Sequence, residues 1–426
     1  MRIAFVTEVW HPSINGVVTR LSVTVDELLG AGHEVLIVTP KLGDAAGPVE
    51  GTGSHTRRGL TVRTVPSFRI KFVYGGQPWG LPLPVVSKHL REFRPDLVHV
   101  INPFMIGIAG VIASRRHRWP LVASFHTDIA AYARFYHLGW IRPIIWLLIR
   151  LLHNAAALNL VTSSYSARLL ASHGIGRIKL WRRGVDLELF RPRQQVSAES
   201  ADSAEPPGSS GSPGSSASLH SSHPQNPGAE TTPVEEVHTA LYVGRLAYEK
   251  GLHRLLPLAK DPGIRVVMVG DGPDHDRLEK EFEGTGTVFT GSLTGEDLSQ
   301  TYADADVFVF ASTTETLGLV ILEALASGVP VVAAESPASH ELLASSPAAR
   351  LFPADHSDAA PGLVREILAS APRDSLSAAA RAEAEGWSWA LATEELLGYY
   401  ADVLSELAEP LEEPSPRLPG SELTRP

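Results

Sequence analysis

The sequence predicts an α/β protein built from two doubly wound parallel-sheet domains that face each other across a cleft. Three observations predict it. Short apolar runs alternate with helical patterns over most of the 426 residues, the alternation stops between residues 194 and 233, and it then resumes with a second set of runs. Runs without a polar face, separated by helices, suit the strands of a parallel sheet covered on both sides. A chain of this length with 44% hydrophobic residues can fill two cores.

The elements follow in order. RIAFVTE reads as a buried strand, TRLSVTVDELLGAGH as an amphipathic helix closed by glycine, and EVLIVTP as the next strand. DLVHVINP, a Gly/Ala-rich helix, LVASFH, NLVTSS and RIKLWRRGVD continue the first domain, residues 1–193. Residues 194–233 are rich in Ser, Pro and Gly and nearly devoid of large apolar groups. Burial cannot offset their ordering entropy, so a disordered linker at the joint between the domains is expected. HTALYVGR, IRVVMVGDG, TVFTGS, DVFVFAS and PVVAAE then supply the strands of a second domain, residues 234–409. Its last helix, within WSWALATEELLGYYADVLSELAE, is free to pack back on the first domain, and an acidic, Pro-rich tail, 410–426, is expected to be mobile. Two such sheets bind ligands at the carboxyl ends of their strands, which is where the cleft lies.

Composition narrows the function. With no cysteine, disulfides, thiolate metal sites and thiol nucleophiles are excluded, and a reducing, cytoplasmic setting fits. MRIAFVTEVW is already a strand pattern and not a secretion signal, and the most apolar stretch, 141–156, contains Pro143 and Arg150 and is too interrupted to span a bilayer. The net charge of −10 conceals an asymmetry: residues 1–193 hold 24 Lys and Arg against 11 Asp and Glu, a net +13, and the remainder holds 13 against 36, a net −23. A basic half either faces an anionic membrane or is ordinary solvated surface. WIRPIIWLLIRLL is either a membrane-docking helix of that half or a helix that buries its apolar side in the core. No nucleic-acid motif accompanies the charge, so no nucleic-acid partner is expected.

The chemistry-bearing stretches begin with ETLGLVILE, which sets Glu315 and Glu323 eight positions apart. Ser312 and Glu315 have capping-box spacing, so Glu315 is either the start of a helix or a ligand-binding carboxylate. Glu323 lies within a helix that is apolar nearly all round, where an unpaired carboxylate costs several kcal/mol, so it requires partners. If that helix begins near Leu317, Glu323 lies roughly 9 Å along it, and the amides of 317–320 point at a phosphate. A nucleoside diphosphate there sets its ribose beside Glu323 and its far substituent beside Glu315. VGRLAYEKG ends a strand at Gly244 and puts Arg245 and Lys250 at its mouth, a planar fork and a point charge suited to a diphosphate. Gly16 precedes a helix, where a missing side chain lets backbone amides approach an anion. His126 lies just beyond a strand end on the cleft side. In VGDGP, Gly270 and Asp271 either line the nucleotide site or form a turn. The Asp304/Asp306 pair only superficially resembles a metal-binding DxD.

Taken together, the Glu315/Glu323 pair, GRLAYEKG, the FHT turn, NGVV and GVDLELF resemble family 4 of the retaining nucleotide-sugar glycosyltransferases, which have the two-domain GT-B fold. The resemblance covers nearly the whole chain except the linker and tail. VTEVWHPSINGVVTRL and FHTDIAAYARFYHLG are most similar to bacterial GDP-mannose-dependent α-mannosyltransferases acting on lipid acceptors, and more distantly to sulfoquinovosyl lipid synthases.

The resemblance implies roles. Arg245 and Lys250 neutralise the departing diphosphate, Glu315 holds sugar hydroxyls, His126 supports the reacting centre, and these four form the catalytic set. Gly16, Gly244, Asp271, Leu293, Gly318, Leu319, Val320 and Glu323 bind the donor, Leu293 within a segment similar to one that contacts the base. No metal or other cofactor is expected. Thr294 and Gly295 stand where guanine-reading relatives often carry an acidic side chain, which leaves GDP and UDP both open as the donor's nucleotide. The implied activity is retaining transfer of a hexose, mannose first, to a lipid-linked acceptor of the phosphatidylinositol or diacylglycerol glycolipid type, at the inner face of the plasma membrane. A UDP-sugar-dependent glucosyl or sulfoquinovosyl transferase and a non-catalytic nucleotide-sugar-binding protein are the rivals. A nicotinamide oxidoreductase is disfavoured because the first strand leads into NGVV and not GxGxxG.

Overall fold

A computed structural model describes residues 1–13, 15–41, 58–69, 78–128, 130, 139–193, 237–315 and 317–408. The expected linker, 194–233, the tail, 410–426, and most of the stretch that follows His126 therefore lie outside the described residues.

The first domain is a seven-stranded sheet formed by β1 (Arg2–Thr7), β2 (Glu34–Pro40), β3 (Leu60–Val65), β6 (Leu97–Ile101), β7 (Leu121–Phe125), β8 (Leu158–Val161) and β9 (Ile178–Leu180). Its order is β3-β2-β1-β6-β7-β8-β9 and every pair is parallel. A separate antiparallel ribbon joins β4 (Ser67–Arg69) to β5 (Pro78–Gly80). The second domain holds β10 (His238–Val243), β11 (Ile264–Val269), β12 (Val288–Gly291), β13 (Val307–Phe310), β14 (Val331–Ala334) and β15 (Ala349–Phe352), all parallel, in the order β12-β11-β10-β13-β14-β15. Each sheet reverses its order once, between β1 and β6 and between β10 and β13, and a crevice opens there at the strand ends.

Alternation explains why these strands look apolar throughout. On β1, Ile3 and Phe5 enter one core with Leu21 and Leu28, while Ala4 and Val6 enter the opposite core with Leu90 and Val111. On β10, Leu241 and Val243 face one core and Ala240 and Tyr242 the other. Five of the six β1 positions and the last four of β10 are buried, each large apolar side chain contributing about 1.5–3 kcal/mol.

The domain joint differs from the expectation. Trp181 lies in a core of the first domain with Leu396, Tyr400 and Val403, whereas Val185 and Phe190 already lie in a core of the second. The chain therefore changes domain near Gly184 and not at 193. It returns beside that point, where Val185 N–H donates to Trp387 O at 2.7 Å and Val185 bridges Ser388. A Cβ on Gly184 would come within 2.4 Å of the Trp389 ring, so a side chain there would part the two crossings. Phe190 and the β10 residues Leu241 and Val243 thus share one core of the second domain. The helix Trp389–Ala408 packs on the first domain, where Tyr400 Oη meets His99 Nδ1 at 2.7 Å.

The helix carrying Glu323 also starts later than expected. It runs Leu319–Ala326 behind Gly318, whose φ of 61° is left-handed and suits glycine. Ser312 Oγ accepts the Thr314 N–H at 3.4 Å and forms no capping box with Glu315. Glu315 precedes the helix, and Glu323 lies one turn in, roughly 6 Å from its start.

Candidate functional site

The two crevices face each other across a cleft of about 820 Å³ lined by both domains, a size suited to a nucleotide-sized ligand. On the second domain, Gly244 and Arg245 follow β10, and Glu315 lies in the loop after β13, so they flank the reversal point of the sheet. Gly270, after β11, supports this turn: its φ is 135° and a Cβ there would come within 2.0 Å of the Gly244 carbonyl oxygen. Tyr242 Oη donates to Arg245 O at 3.2 Å and braces the turn from below.

Lys250 Nζ donates to Glu315 Oε2 at 2.7 Å, and Glu315 Oε1 accepts the Leu317 N–H at 3.1 Å. Burial raises the pKa of this carboxyl, but the Lys250 ammonium and the N–H groups of Leu317 and Gly318 outweigh it and bring it down to about 2. Glu315 is thus a permanent anion. Arg245 is half-buried in the cleft wall and, among the described residues, has no acidic partner. Its fixed fork of donors suits a diphosphate.

Glu323 has the opposite character. Burial raises its pKa to about 7, opposed by the Tyr302 hydroxyl, which donates to Oε2 at 2.9 Å. Tyr302, on the helix Gly295–Asp304, is the partner that the apolar surroundings of Glu323 demanded, and the sequence did not reveal it. The expected row of phosphate-facing amides is shorter than four. Leu317 and Gly318 donate to Glu315, leaving Leu319 and Val320 at a helix start without a capping side chain. Leu319 and Val320 line the cleft, as do Asp271 and Leu293. A helix dipole and uncapped amides of this kind suit an anion.

The first domain supplies the facing wall. Gly16 lies in it, close enough that a Cβ would stand 3.4 Å from Leu317 Cδ1. The Val17 and Val18 amides are not open to an anion, because the Asn15 side-chain oxygen accepts both at 3.0 Å. His126 follows β7, is buried, and meets Ser124 Oγ at 2.9 Å through Nε2. Burial and the nearby Arg20 and His99 push its pKa well below the usual value, so the imidazole is neutral and acts as a hydrogen-bonding group, not a proton carrier at physiological pH. Arg20 is itself buried, with its guanidinium 3.7 Å from the Trp181 ring centroid and donating to Trp181 O and Arg182 O at 2.9 and 2.6 Å. Asn102, after β6, has a left-handed φ of 48°, and its side-chain oxygen accepts the His126 and Thr127 amides at 2.6 and 3.2 Å. A non-glycine residue held in that region at a strand end marks a backbone bent for a purpose. Neither Arg20 nor Asn102 is conspicuous in the sequence.

Asp304 and Asp306 are structural. Asp306 accepts the Thr239 N–H at 2.8 Å and pairs with Arg373 at 2.9 Å, and Asp304 pairs with Arg193 at 3.7 Å. They lie at the opposite end of the sheet from the cleft.

Two facing doubly wound domains thus bring cations, a helix start and two carboxylates of opposite character to one crevice. Residues 14–189 match Glycosyltransferase Family 4 and residues 229–383 match Glycosyl transferases group 1. A GDP-mannose-dependent alpha-mannosyltransferase of Corynebacterium glutamicum is 32% identical over 407 residues, 95% of this chain and 90% of that protein. A sulfoquinovosyl transferase of Arabidopsis thaliana is 32% identical over 389 residues, 89% of this chain and 69% of that protein. Among solved structures, a sucrose-phosphate synthase from Thermosynechococcus elongatus superposes with a TM-score of 0.70 at 17% identity, covering 95% of this chain and 99% of that one. The chain belongs to glycosyltransferase family 4 and has the GT-B fold.

Proposed function

We propose that this glycosyltransferase moves mannose from GDP-mannose, with retention, onto a lipid-linked acceptor at an anionic membrane surface. The observation that carries the donor part is that Arg245, Lys250, Glu315, Glu323 and the helix start at Leu319 all line the cleft beside the reversal point of the second sheet. A diphosphate at that point is met by two cations and a helix dipole, the ribose hydroxyls reach Glu323, and the sugar hydroxyls reach Glu315. Stabilisation of the leaving diphosphate is then the main electrostatic task. No side chain forms a covalent intermediate; the leaving phosphate takes the acceptor proton on the same face, while neutral His126 holds the sugar. The similarity to the C. glutamicum enzyme favours mannose. A second reading, a UDP-linked sugar, is favoured by Thr294 and Gly295 at the base-contacting segment and by the similarity to the plant enzyme.

Membrane binding is supported by the helix Arg142–Asn154. Ile145, Trp146, Ile149 and Leu152 are buried in the domain, while Trp140, Ile144, Leu147 and Leu151 form an outer apolar stripe, each 56–75% exposed. Arg115 and Arg177 donate to Ala155 O and Asn154 O, gathering positive charge at one end of the stripe. Apolar side chains beside arginines suit an anionic bilayer. Among the described residues no helix is long and apolar enough to cross a membrane.

Incubation with labelled GDP-mannose or UDP-glucose and vesicles containing glucosyl diacylglycerol or phosphatidylinositol tests this function. Labelled α-linked glycolipid from GDP-mannose is the expected product. A β-linked product contradicts retention, and label from UDP-glucose alone contradicts the mannose assignment.

A further inference from the structure

The cleft wall opposite the donor residues carries a second constellation. Glu8 follows β1 and Asn102 follows β6, so they flank the reversal point of the first sheet as Gly244 and Glu315 flank that of the second. Trp79, on β5, and Phe104, just before the helix Met105–His117, meet edge to face with ring centroids 5.8 Å apart, and both line the cleft. Glu8 is buried and ties the two aromatic segments together: Oε2 accepts the Gly80 N–H at 2.9 Å and Oε1 the Ile106 N–H at 2.5 Å. Each carboxylate oxygen has a further lone pair, so neither bond exhausts its capacity. Burial, opposed by the two amide bonds, raises its pKa to about 7.

We propose that Glu8, Asn102, Trp79 and Phe104 form the acceptor subsite, and that it takes an uncharged, hydroxylated six-membered ring, a sugar or cyclitol headgroup. The proposal rests on the transferase function above and narrows its acceptor. Such a ring has apolar C–H faces, which pack on aromatic rings, and a rim of hydroxyls, which donate to a carboxylate and accept from a side-chain amide NH2. Charge argues against a phosphorylated ring at this point. Among the described residues that line the cleft, the Lys and Arg residues are Arg245 and Lys250, both on the donor wall. At the helix start beside Phe104, where a phosphate would otherwise bind, Glu8 already occupies the Ile106 amide.

Saturation-transfer NMR on the full chain tests the subsite. GDP and UDP are tested first, and the better-binding nucleotide is then held at saturation. Methyl α-D-glucopyranoside, methyl α-D-mannopyranoside, myo-inositol and myo-inositol 1-phosphate are the probes. At least one neutral ring is expected to bind the nucleotide-loaded protein. Phe104→Ala and Glu8→Gln are each expected to weaken it tenfold or more while nucleotide affinity changes less than twofold. The proposal is overturned if no neutral ring binds, if binding survives both substitutions, or if inositol 1-phosphate binds more tightly than every neutral ring. Failure of the wild-type protein to bind either nucleotide overturns the donor assignment instead, and the neutral rings tested without nucleotide then decide the subsite alone.

Discussion

The ammonium of Lys250 and the Oε2 of Glu315 stand 2.7 Å apart across the mouth of the second sheet, joining the loop after β10 to the loop after β13. Glu315 also holds the Leu317 amide, so one carboxylate sets both a cation and the approach to the helix start. Glu315→Gln keeps the size and removes the charge. Its kcat is expected to fall about 10²–10³-fold, the scale of losing one preorganised electrostatic group, while the donor KM moves less. Steady-state kinetics with the donor varied decides it.

The same pair governs acid stability. Glu315 has a folded pKa of about 2, below the ordinary 4.5 of a glutamate, so the fold favours the carboxylate. Its stabilisation is complete above 4.5 and is lost as pH falls toward 2. Urea unfolding is expected to show a wild-type advantage over Glu315→Gln at pH 6 that shrinks at pH 3. An advantage independent of pH would mean that the charge contributes nothing.

Glu323 gives the reverse sign. Its pKa is raised to about 7, so the folded state pays an increasing penalty as pH rises from 4.5 through 7, up to roughly 3 kcal/mol. Glu323→Gln is therefore expected to raise Tm at pH 8 and to weaken nucleotide binding. Ribose hydroxyls donating to the carboxylate lower its pKa again, so wild-type binding releases a proton near pH 7. Calorimetry in buffers of different ionisation enthalpy reads that release, and the variant should lack this contribution.

A buried arginine and a carboxylate join the two domains. Arg183, with no exposed side-chain surface, stands 3.8 Å from Glu341, whose other oxygen accepts the Ser164 N–H at 2.8 Å. Glu341→Ala leaves a buried guanidinium without this carboxylate, and a loss of about 3 kcal/mol is expected. Thermal unfolding measures the loss, and small-angle scattering is expected to show a more open molecule.

The outer stripe separates membrane binding from donor binding. Replacement of Ile144, Leu147 and Leu151 by Gln is expected to abolish flotation with anionic vesicles and leave nucleotide affinity unchanged. Undiminished flotation would assign the membrane contact to another surface.

Much of this was legible in the sequence because parallel strands buried on both faces leave unbroken apolar runs. β1 and β10 were visible for that reason, and so were Gly244, Arg245 and Lys250 at a strand end. What was hidden depends on contacts remote in sequence. Tyr302 reaches Glu323 from a neighbouring helix, Glu8 bridges β5 and the helix start at Ile106, and Arg20 stacks on Trp181. The later start of the Glu323 helix follows from Gly318 in a left-handed turn, which competes with the capping-box spacing of Ser312 and Glu315. The domain crossing at Gly184 was hidden by the conspicuous composition of residues 194–233, which drew the boundary to 193, whereas Val185 and Phe190 already lie in the second core.

Calorimetric titration of GDP-mannose, GDP, UDP-glucose and UDP into the purified protein, with Glu323→Ala alongside, decides whether this cleft is a GDP-mannose site. Saturable binding of GDP-mannose and GDP that the variant loses is expected, with the uridine compounds weaker. Preference for UDP and UDP-glucose would contradict the assignment of the base and sugar, and no heat from any of the four would contradict a nucleotide-sugar site in this cleft.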